Sequence, residues 1–363
     1  MTAGGVAAAG SLAYVVGRGV TYSGSPGVAP RSAPAGPAAL NAYAANVVPG
    51  GPGRDGIPPI DRPRFRAPAP ALLADGDVVF GLVRGGQARA YPQLILVWHE
   101  IVNDRLPDGP LSITYCPLAG SAAGYRGSAP GGRPYTFGTT GDLVNSSLLM
   151  YDRQAGSTWP QILGEAITGP ARSRFLEAVP LEWTTWGRWR TVHPGTAVLS
   201  TATGYLRPYG TDPYGSYRPL SGYYSDSDIN FPVMNHGDSF PPKEPFIAVT
   251  HRRAHIAARK QFLRDRGVLT ADAAGESVTF LYDPALDDGS AFLPRSTGAS
   301  PLRLAPVAGR PGFYRDAASG SIWDSSGTAV QGPSRGAALP RLPAFDVMWF
   351  AWHAFFPHAA VLA

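Results

Sequence analysis

The chain has 363 residues, of which Gly 44 and Pro 37 make about 22%, while Asp, Glu, Lys and Arg together reach only 16%. Hydrophobic residues at 44% and aromatics at 11% supply a core, which excludes wholesale disorder, and glycine without a three-residue period excludes a collagen-like rod. The net charge of +5 comes from scattered arginines, with lysine confined to Lys243 and Lys260, so the clustered basic face of a nucleic-acid binder is missing and no nucleic-acid partner is expected.

In chain order, the first twenty residues carry an apolar, small-residue run from Ala3 to Val16. It is the length of a signal-peptide core without a basic stretch before it, and it is too short to span a bilayer. An incomplete export signal over 1–20 and an extracytoplasmic or secreted protein are therefore expected, with a low-complexity leader and the cytoplasm as the alternative; no integral membrane span is expected. Residues 21–59, rich in Gly, Pro and Ala, read as a flexible linker. The runs Val78 to Val83, Leu111 to Tyr115 and Ser277 to Tyr282 predict strands, bounded by turns at Asp108-Gly109, Gly169-Pro170 and Gly332-Pro333. Helices are predicted over Pro92 to Leu106 and Ala254 to Arg266.

Four motifs occur twice in the same order. Tyr115-Cys116-Pro117 corresponds to Tyr282-Asp283-Pro284, and Asp152-x-x-x-Gly156-Ser157-x-Trp159 to Asp316-x-x-x-Gly320-Ser321-x-Trp323. Gly164-x-Ala166-Ile167-x-Gly169-Pro170 corresponds to Gly327-x-Ala329-Val330-x-Gly332-Pro333, and Trp186-x-x-Trp189 to Trp349-x-x-Trp352. The expected fold is β-rich α+β, internally duplicated, with two pseudo-symmetric units that each hold one main helix. The first repeat covers 60–200, a Tyr-rich connector 201–244, and a more structural second repeat 245–363. In the connector, Asp226-x-Asp228-x-Asn230 lacks the glycine and distal glutamate of a calcium loop and reads as a solvated turn.

The repeats differ most where the first carries His99-Glu100-Ile101-Val102-Asn103-Asp104 and Cys116. On a helix, His99 and Asn103 share a face, as do Glu100 and Asp104. One reading makes these residues structural, satisfying buried backbone groups and capping the helix, with Cys116 a small buried hydrophobe. The other brings Cys116 beside His99 as nucleophile and base or as metal ligands, with Glu100, Asn103, Asp104 and Gln161 in support. Copper is the transition metal that one thiolate with imidazoles favours. A single cysteine excludes an internal disulfide, and one cysteine without paired histidines disfavours the usual four-ligand structural zinc framework. Ser157 and Ser321 occur in both copies and read as turn residues rather than nucleophiles.

The strings Gly53-Arg54-Asp55-Gly56-Ile57-Pro58, Ala88-Arg89-Ala90-Tyr91-Pro92, Trp98-His99-Glu100-Ile101-Val102-Asn103-Asp104, Thr114-Tyr115-Cys116-Pro117-Leu118, Met150-Tyr151-Asp152, Ser157-Thr158-Trp159-Pro160-Gln161 and Asp212-Pro213-Tyr214 resemble the domain of unknown function 3179 family, from about Gly53 to the C-terminus. The resemblance implies a common fold and often an exported protein, with no established reaction. Many members carry a second cysteine where this chain has Ala119, so a Cys-x-x-Cys dithiol mechanism is unavailable here. Two functions are therefore expected as competitors. One is an exported enzyme with the Cys116/His99 site; the other is a non-catalytic exported module that binds a small molecule or glycan through the Tyr-rich connector.

Overall fold

A computed structural model of the chain describes residues 37–68, 73–129, 131–273, 275–295 and 301–363. The predicted signal segment and the start of the predicted linker lie outside the described residues. Among those described, the fold is β-rich, with 41% strand, 11% helix, five short helices and several separate sheets. No helix among them is long and apolar enough to cross a membrane.

The first sheet is built on the hairpin Val78–Arg84 and Gln87–Pro92. Its turn uses Gly85 and Gly86, both at positive φ, which glycine adopts without a steric penalty. Val78 to Leu82 are buried on both faces, and Gly81 is where the sheet receives the Trp189 ring; a Cβ at that position would lie 2.2 Å from a ring carbon. Glu182–Thr185 borders the hairpin antiparallel and Ala197–Leu199 borders it parallel, with the Trp186–Val192 helix between these two strands in the chain and Phe65–Arg66 beyond Ala197–Leu199 as the sheet's edge on that side. A second sheet is the meander Ile101–Leu106, Gly109–Cys116, Ser121–Arg126, closed by Glu177–Val179. Phe137–Val144, Ser147–Asp152 and Thr158–Pro160 form a third, edged by Val48–Pro49.

In the C-terminal part, Pro245–His251 and Ala254–Arg259 pair with Phe345–Met348 (antiparallel) and Ala360–Leu362 (parallel), with the Trp349–Phe355 helix between the latter two. Val268–Ala273, Glu276–Asp283 and Asp288–Phe292 make a meander, and Leu304–Pro306, Phe313–Asp316, Ile322–Asp324 and Ala329–Gln331 make the last sheet. One apolar core runs through both parts: Leu149, Met150 and Trp159 belong to the same buried cluster as Phe246, Trp349 and Trp352.

Three local expectations differ from this structure. Of the helix predicted over Pro92 to Leu106, only Gln93–Leu96 is helical; Ile101–Leu106 is a strand, and Asp108-Gly109 turns a β-hairpin. The apolar run Leu94 to Val102 has no clean helical period, and its β-branched end pairs with Thr114 and Ile113 instead. The second predicted helix likewise begins only at Lys260, because Ala254–Arg259 is a central strand. Within the stretch read as flexible linker, Pro37–Ala45 forms a helix that buries Leu40 and Tyr43, and the Tyr43 hydroxyl donates to the Phe355 carbonyl at 2.8 Å.

The paired Asp-x-x-x-Gly-Ser-x-Trp motifs are turn devices, as expected of their serines. Asp152 accepts from the Ala155 and Ser157 amides (2.6 and 3.1 Å) and the Trp159 indole N–H (3.0 Å), while Ser157 Oγ accepts from the Ala171 amide (2.9 Å). In the second motif Asp316 accepts from the Ser319 and Arg303 amides (2.8 and 3.0 Å), and Ser321 Oγ accepts from the Ser334 amide (3.1 Å).

Candidate functional site

The chain between the Gln93–Leu96 helix and the Ile101–Leu106 strand turns through Glu100, whose amide donates back to the Leu96 carbonyl (2.7 Å) and whose φ of 56° is left-handed. His99, just before it, is fully buried and uses both ring nitrogens. Nδ1 lies 2.6 Å from the Pro58 carbonyl oxygen and Nε2 lies 2.6 Å from the Tyr209 hydroxyl. A carbonyl only accepts, so Nδ1 carries the hydrogen and Nε2 accepts from Tyr209; Thr203 Oγ1 then donates to the Tyr209 oxygen at 2.6 Å. Burial drives the His99 pKa down to about 4, against the Pro58 bond that pulls it up, and the imidazole is neutral. The side chain is a strut between the segment before the second sheet and the connector.

Asn103 is equally occupied. Its amide donates to Asp61 Oδ1 (2.7 Å) and the Phe137 carbonyl (2.9 Å), and its oxygen accepts from Ser112 Oγ (2.7 Å) and the Phe137 amide (2.9 Å). On a strand it faces Ser112 across the ladder, so the four-residue spacing to His99 has no meaning there. Asp104 pairs with Arg89 and accepts from the Tyr91 hydroxyl (2.6 Å). Gln161 bridges Thr114 (3.2 Å) and Ser121 (2.6 Å) inside the core.

Cys116 is 1% exposed and accepts from the Leu148 amide at 3.4 Å. Burial first and the nearby Glu100 carboxyl second push its thiol up to about 12, outweighing the amides of Ala119, Leu148 and Leu118 that draw it down. At neutral pH it is a thiol. Glu100 is buried and raised to about 8 by desolvation, and its carboxyl has no hydrogen-bond or ion-pair partner among the described residues. No hydrogen bond joins Cys116 to His99 among the described residues, and no group of three or more His, Cys, Asp or Glu side chains there could hold a metal ion. The structure thus brings Glu100 near Cys116 and sends His99, Asn103 and Asp104 into separate hydrogen-bonded frames.

A layer of tyrosines from the connector covers the second sheet. Tyr115 Oη meets Tyr217 and Tyr224 (3.2 Å each) and Gln93 Nε2 (3.2 Å), and Asp212 accepts from Gln93 and Tyr224 (2.7 Å each). Burial holds Asp212 above the usual carboxylate range. Tyr217 and Tyr224 stack at 3.9 Å, and Trp183 meets Tyr217 edge-on at 5.2 Å. Tyr223 donates to the Leu118 carbonyl (2.7 Å) and carries Lys243 on its ring face at 3.3 Å. Asp226 pairs with Lys243, so the acidic connector turn is tied to a cation.

Beside this layer lies a cleft of about 740 Å³. Trp183, Tyr217, Pro219, Tyr224 and Met348 give it apolar walls, and Lys243, Lys260, Arg264, Asp226, Asp287 and Asp346 bring charge to them. Gly120, in the turn that follows Cys116, also reaches it. Its lining residues come from segments far apart in the chain, so motif spacing does not reveal it; the density of tyrosines in 201–244 was its one sequence signal.

No curated protein and no solved structure matches the chain. The family described as "Protein of unknown function (DUF3179)" matches residues 54–359, which include the tyrosine layer, the cleft and the whole His99 to Cys116 region. The chain belongs to this DUF3179 family.

Proposed function

We propose that this protein binds a small organic molecule with a flat or apolar body in the cleft walled by Trp183, Tyr217, Tyr224 and Met348. The observation that carries the reading is the cleft itself: about 740 Å³ of aromatic and apolar wall with a few convergent polar groups, the usual constitution of a ligand pocket. The connector tyrosines contribute ring faces to it, but their hydroxyls are spent inside the layer, which favours an apolar ligand body over a glycan recognised by hydroxyl exchange. Titration of the full chain with the neutral fluorophore phenylnaphthylamine should saturate, and Trp183→Ala should weaken it about tenfold or more, the worth of one buried aromatic contact. Affinity unchanged by that substitution would dismiss the cleft.

A second reading, acid–thiol chemistry at Cys116 and Glu100, is supported by the left-handed backbone of Glu100 and its unpartnered buried carboxyl, since backbone strain and strongly shifted titrations concentrate at functional sites. It requires native Cys116 to react. Export belongs to the proposal as well and rests on the apolar stretch Ala3 to Val16; fractionation that leaves the protein in the cytoplasm would overturn it.

We also infer that the two halves descend from one duplicated unit. The support is the matched order: a hairpin (Val78–Arg84/Gln87–Pro92; Pro245–His251/Ala254–Arg259) edged by one antiparallel and one parallel strand that flank a short Trp-containing helix. On this reading the cleft lies where the halves meet. An experimental structure in which superposing the two hairpins left Tyr115 far from Tyr282 would count against it.

A further inference from the structure

The turn between Glu276–Asp283 and Asp288–Phe292 reaches the cleft with Asp287, whose φ is 56°. The turn between Gly109–Cys116 and Ser121–Arg126 reaches it with Gly120 at φ 53°. A side chain in the left-handed region carries a steric penalty that glycine avoids. What offsets this at Asp287 is its set of partners. Oδ1 accepts from the Tyr282 hydroxyl and from Arg264 Nη2, both at 2.6 Å, while Arg188 Nη2 and Arg218 Nη2 each lie 3.9 Å from Oδ2.

Three guanidiniums thus converge on one carboxylate and leave a positive surplus. Their side chains are 42%, 55% and 41% exposed for Arg188, Arg218 and Arg264, so they remain reachable from solvent. The two 3.9 Å separations are ion pairs without hydrogen bonds, and the Arg218 guanidinium has no hydrogen-bond acceptor among the described residues. The two lysines that line the cleft are matched, Lys243 by Asp226 and Lys260 by Asp288 and Asp346. The planar fork of arginine suits an oxyanion, which it can engage with two N–H groups at once.

We propose that Arg218 and Arg264, which line the cleft beside Asp287, form an oxyanion subsite at its rim, with Arg188, which donates to the Pro284 and Ala285 carbonyls and does not line the cleft, adding its charge through Asp287, and that the ligand is an apolar, flat molecule carrying a carboxylate, sulfonate or phosphate group. This rests on the cleft reading above. The test compares two fluorophores of nearly the same frame on the full chain, anilinonaphthalene sulfonate and neutral phenylnaphthylamine. The sulfonate should bind more tightly, should weaken with added salt, and should be displaced by inorganic phosphate, none of which should affect the neutral probe. Arg218→Gln, which breaks no hydrogen bond in the fold, should lower sulfonate affinity about threefold, the scale of one partly exposed charge pair, and leave phenylnaphthylamine unchanged. Arg264→Gln should lower it further.

If both probes respond to Trp183→Ala but bind equally, and Arg218→Gln changes neither, the subsite is refuted while the cleft stands. If neither probe responds to Trp183→Ala, the cleft falls and the subsite with it.

Discussion

Glu100 gives the protein a pH dependence opposite to that of an ordinary paired carboxylate. Burial lifts its carboxyl from 4.5 to about 8, and no hydrogen bond or counter-ion among the described residues reverses that. Between those values the unfolded chain is ionised while the folded chain keeps the proton, so the folded state binds more protons and stability falls as pH rises. One such proton is worth about 1.4 kcal/mol per pH unit, which over this window makes about 5 kcal/mol at most, absent below pH 4.5 and complete above pH 8. His99 works in the other direction. It is lowered from 6.5 to about 4, so its contribution rises with pH through that range and is lost on acidification. The two slopes oppose each other below pH 6.5, and of the two only Glu100 acts above it. Glu100→Gln keeps the shape and cannot ionise, so the difference between variant and parent isolates this one group. Urea unfolding followed by tryptophan fluorescence at about pH 5 and about pH 9 should show the variant gaining under about 1 kcal/mol at the lower pH and about 3 to 5 kcal/mol at the higher. A difference independent of pH, or one that grows towards acid, would mean that Glu100 is ionised and paired in the folded state, and the reasoning would be wrong.

Three further outcomes are expected. Native Cys116, buried and held as a thiol with its pKa at about 12, should react with iodoacetamide about a hundredfold more slowly than in urea; equal rates would revive the acid–thiol reading. Gly81→Ala drives a methyl into the Trp189 ring, 2.2 Å from the nearest carbon, and should cost about 2 to 3 kcal/mol in urea unfolding; a neutral result would mean that the ring moves aside freely. Lys260→Met strands both Asp288, 2.9 Å from the ammonium in the parent, and Asp346, and should cost about 3 kcal/mol, part of which Asp288→Asn should restore in the double variant; simple additivity would show that Lys260 and Asp288 do not act as a pair.

Strands rich in β-branched residues, such as Val78 to Val83 and Leu111 to Tyr115, were legible from composition alone. The region from Leu94 to Leu106 was not, because a nearly continuous apolar run reads equally as a buried helix or a buried strand, and only pairing with Gly109–Cys116 decides between them. That ambiguity carried over to the site. Four-residue spacing put His99 with Asn103 and Glu100 with Asp104, whereas a two-residue period puts Asn103 opposite Ser112 and leaves His99 and Glu100 in the turn before the strand. The cleft was hidden for another reason. Trp183, Tyr224 and Met348 meet only through tertiary packing, and no local pattern marks residues so far apart.

Two hydrogen-bonded bridges run from the core to the connector that carries the cleft's tyrosines. His99 ties Pro58 to Tyr209, Gln93 ties Tyr115 to Asp212, and Asp212 in turn fixes Tyr224, whose ring stacks on Tyr217 in the cleft wall. A buried network of this kind is worth most when every member is satisfied, and removing one leaves its partners unpaired. His99→Ala should therefore cost about 2 to 4 kcal/mol, because it opens a cavity in the core, leaves the Pro58 carbonyl without its donor and leaves the Tyr209 hydroxyl with Thr203 as its one remaining partner. It should also weaken phenylnaphthylamine binding, although His99 is not among the residues that line the cleft. Tyr209→Phe should lose about 1 kcal/mol on its own and little more when added to His99→Ala, since both break the same bridge. Additive losses in that cycle, or probe binding indifferent to His99, would show that the connector holds the cleft wall without this strut.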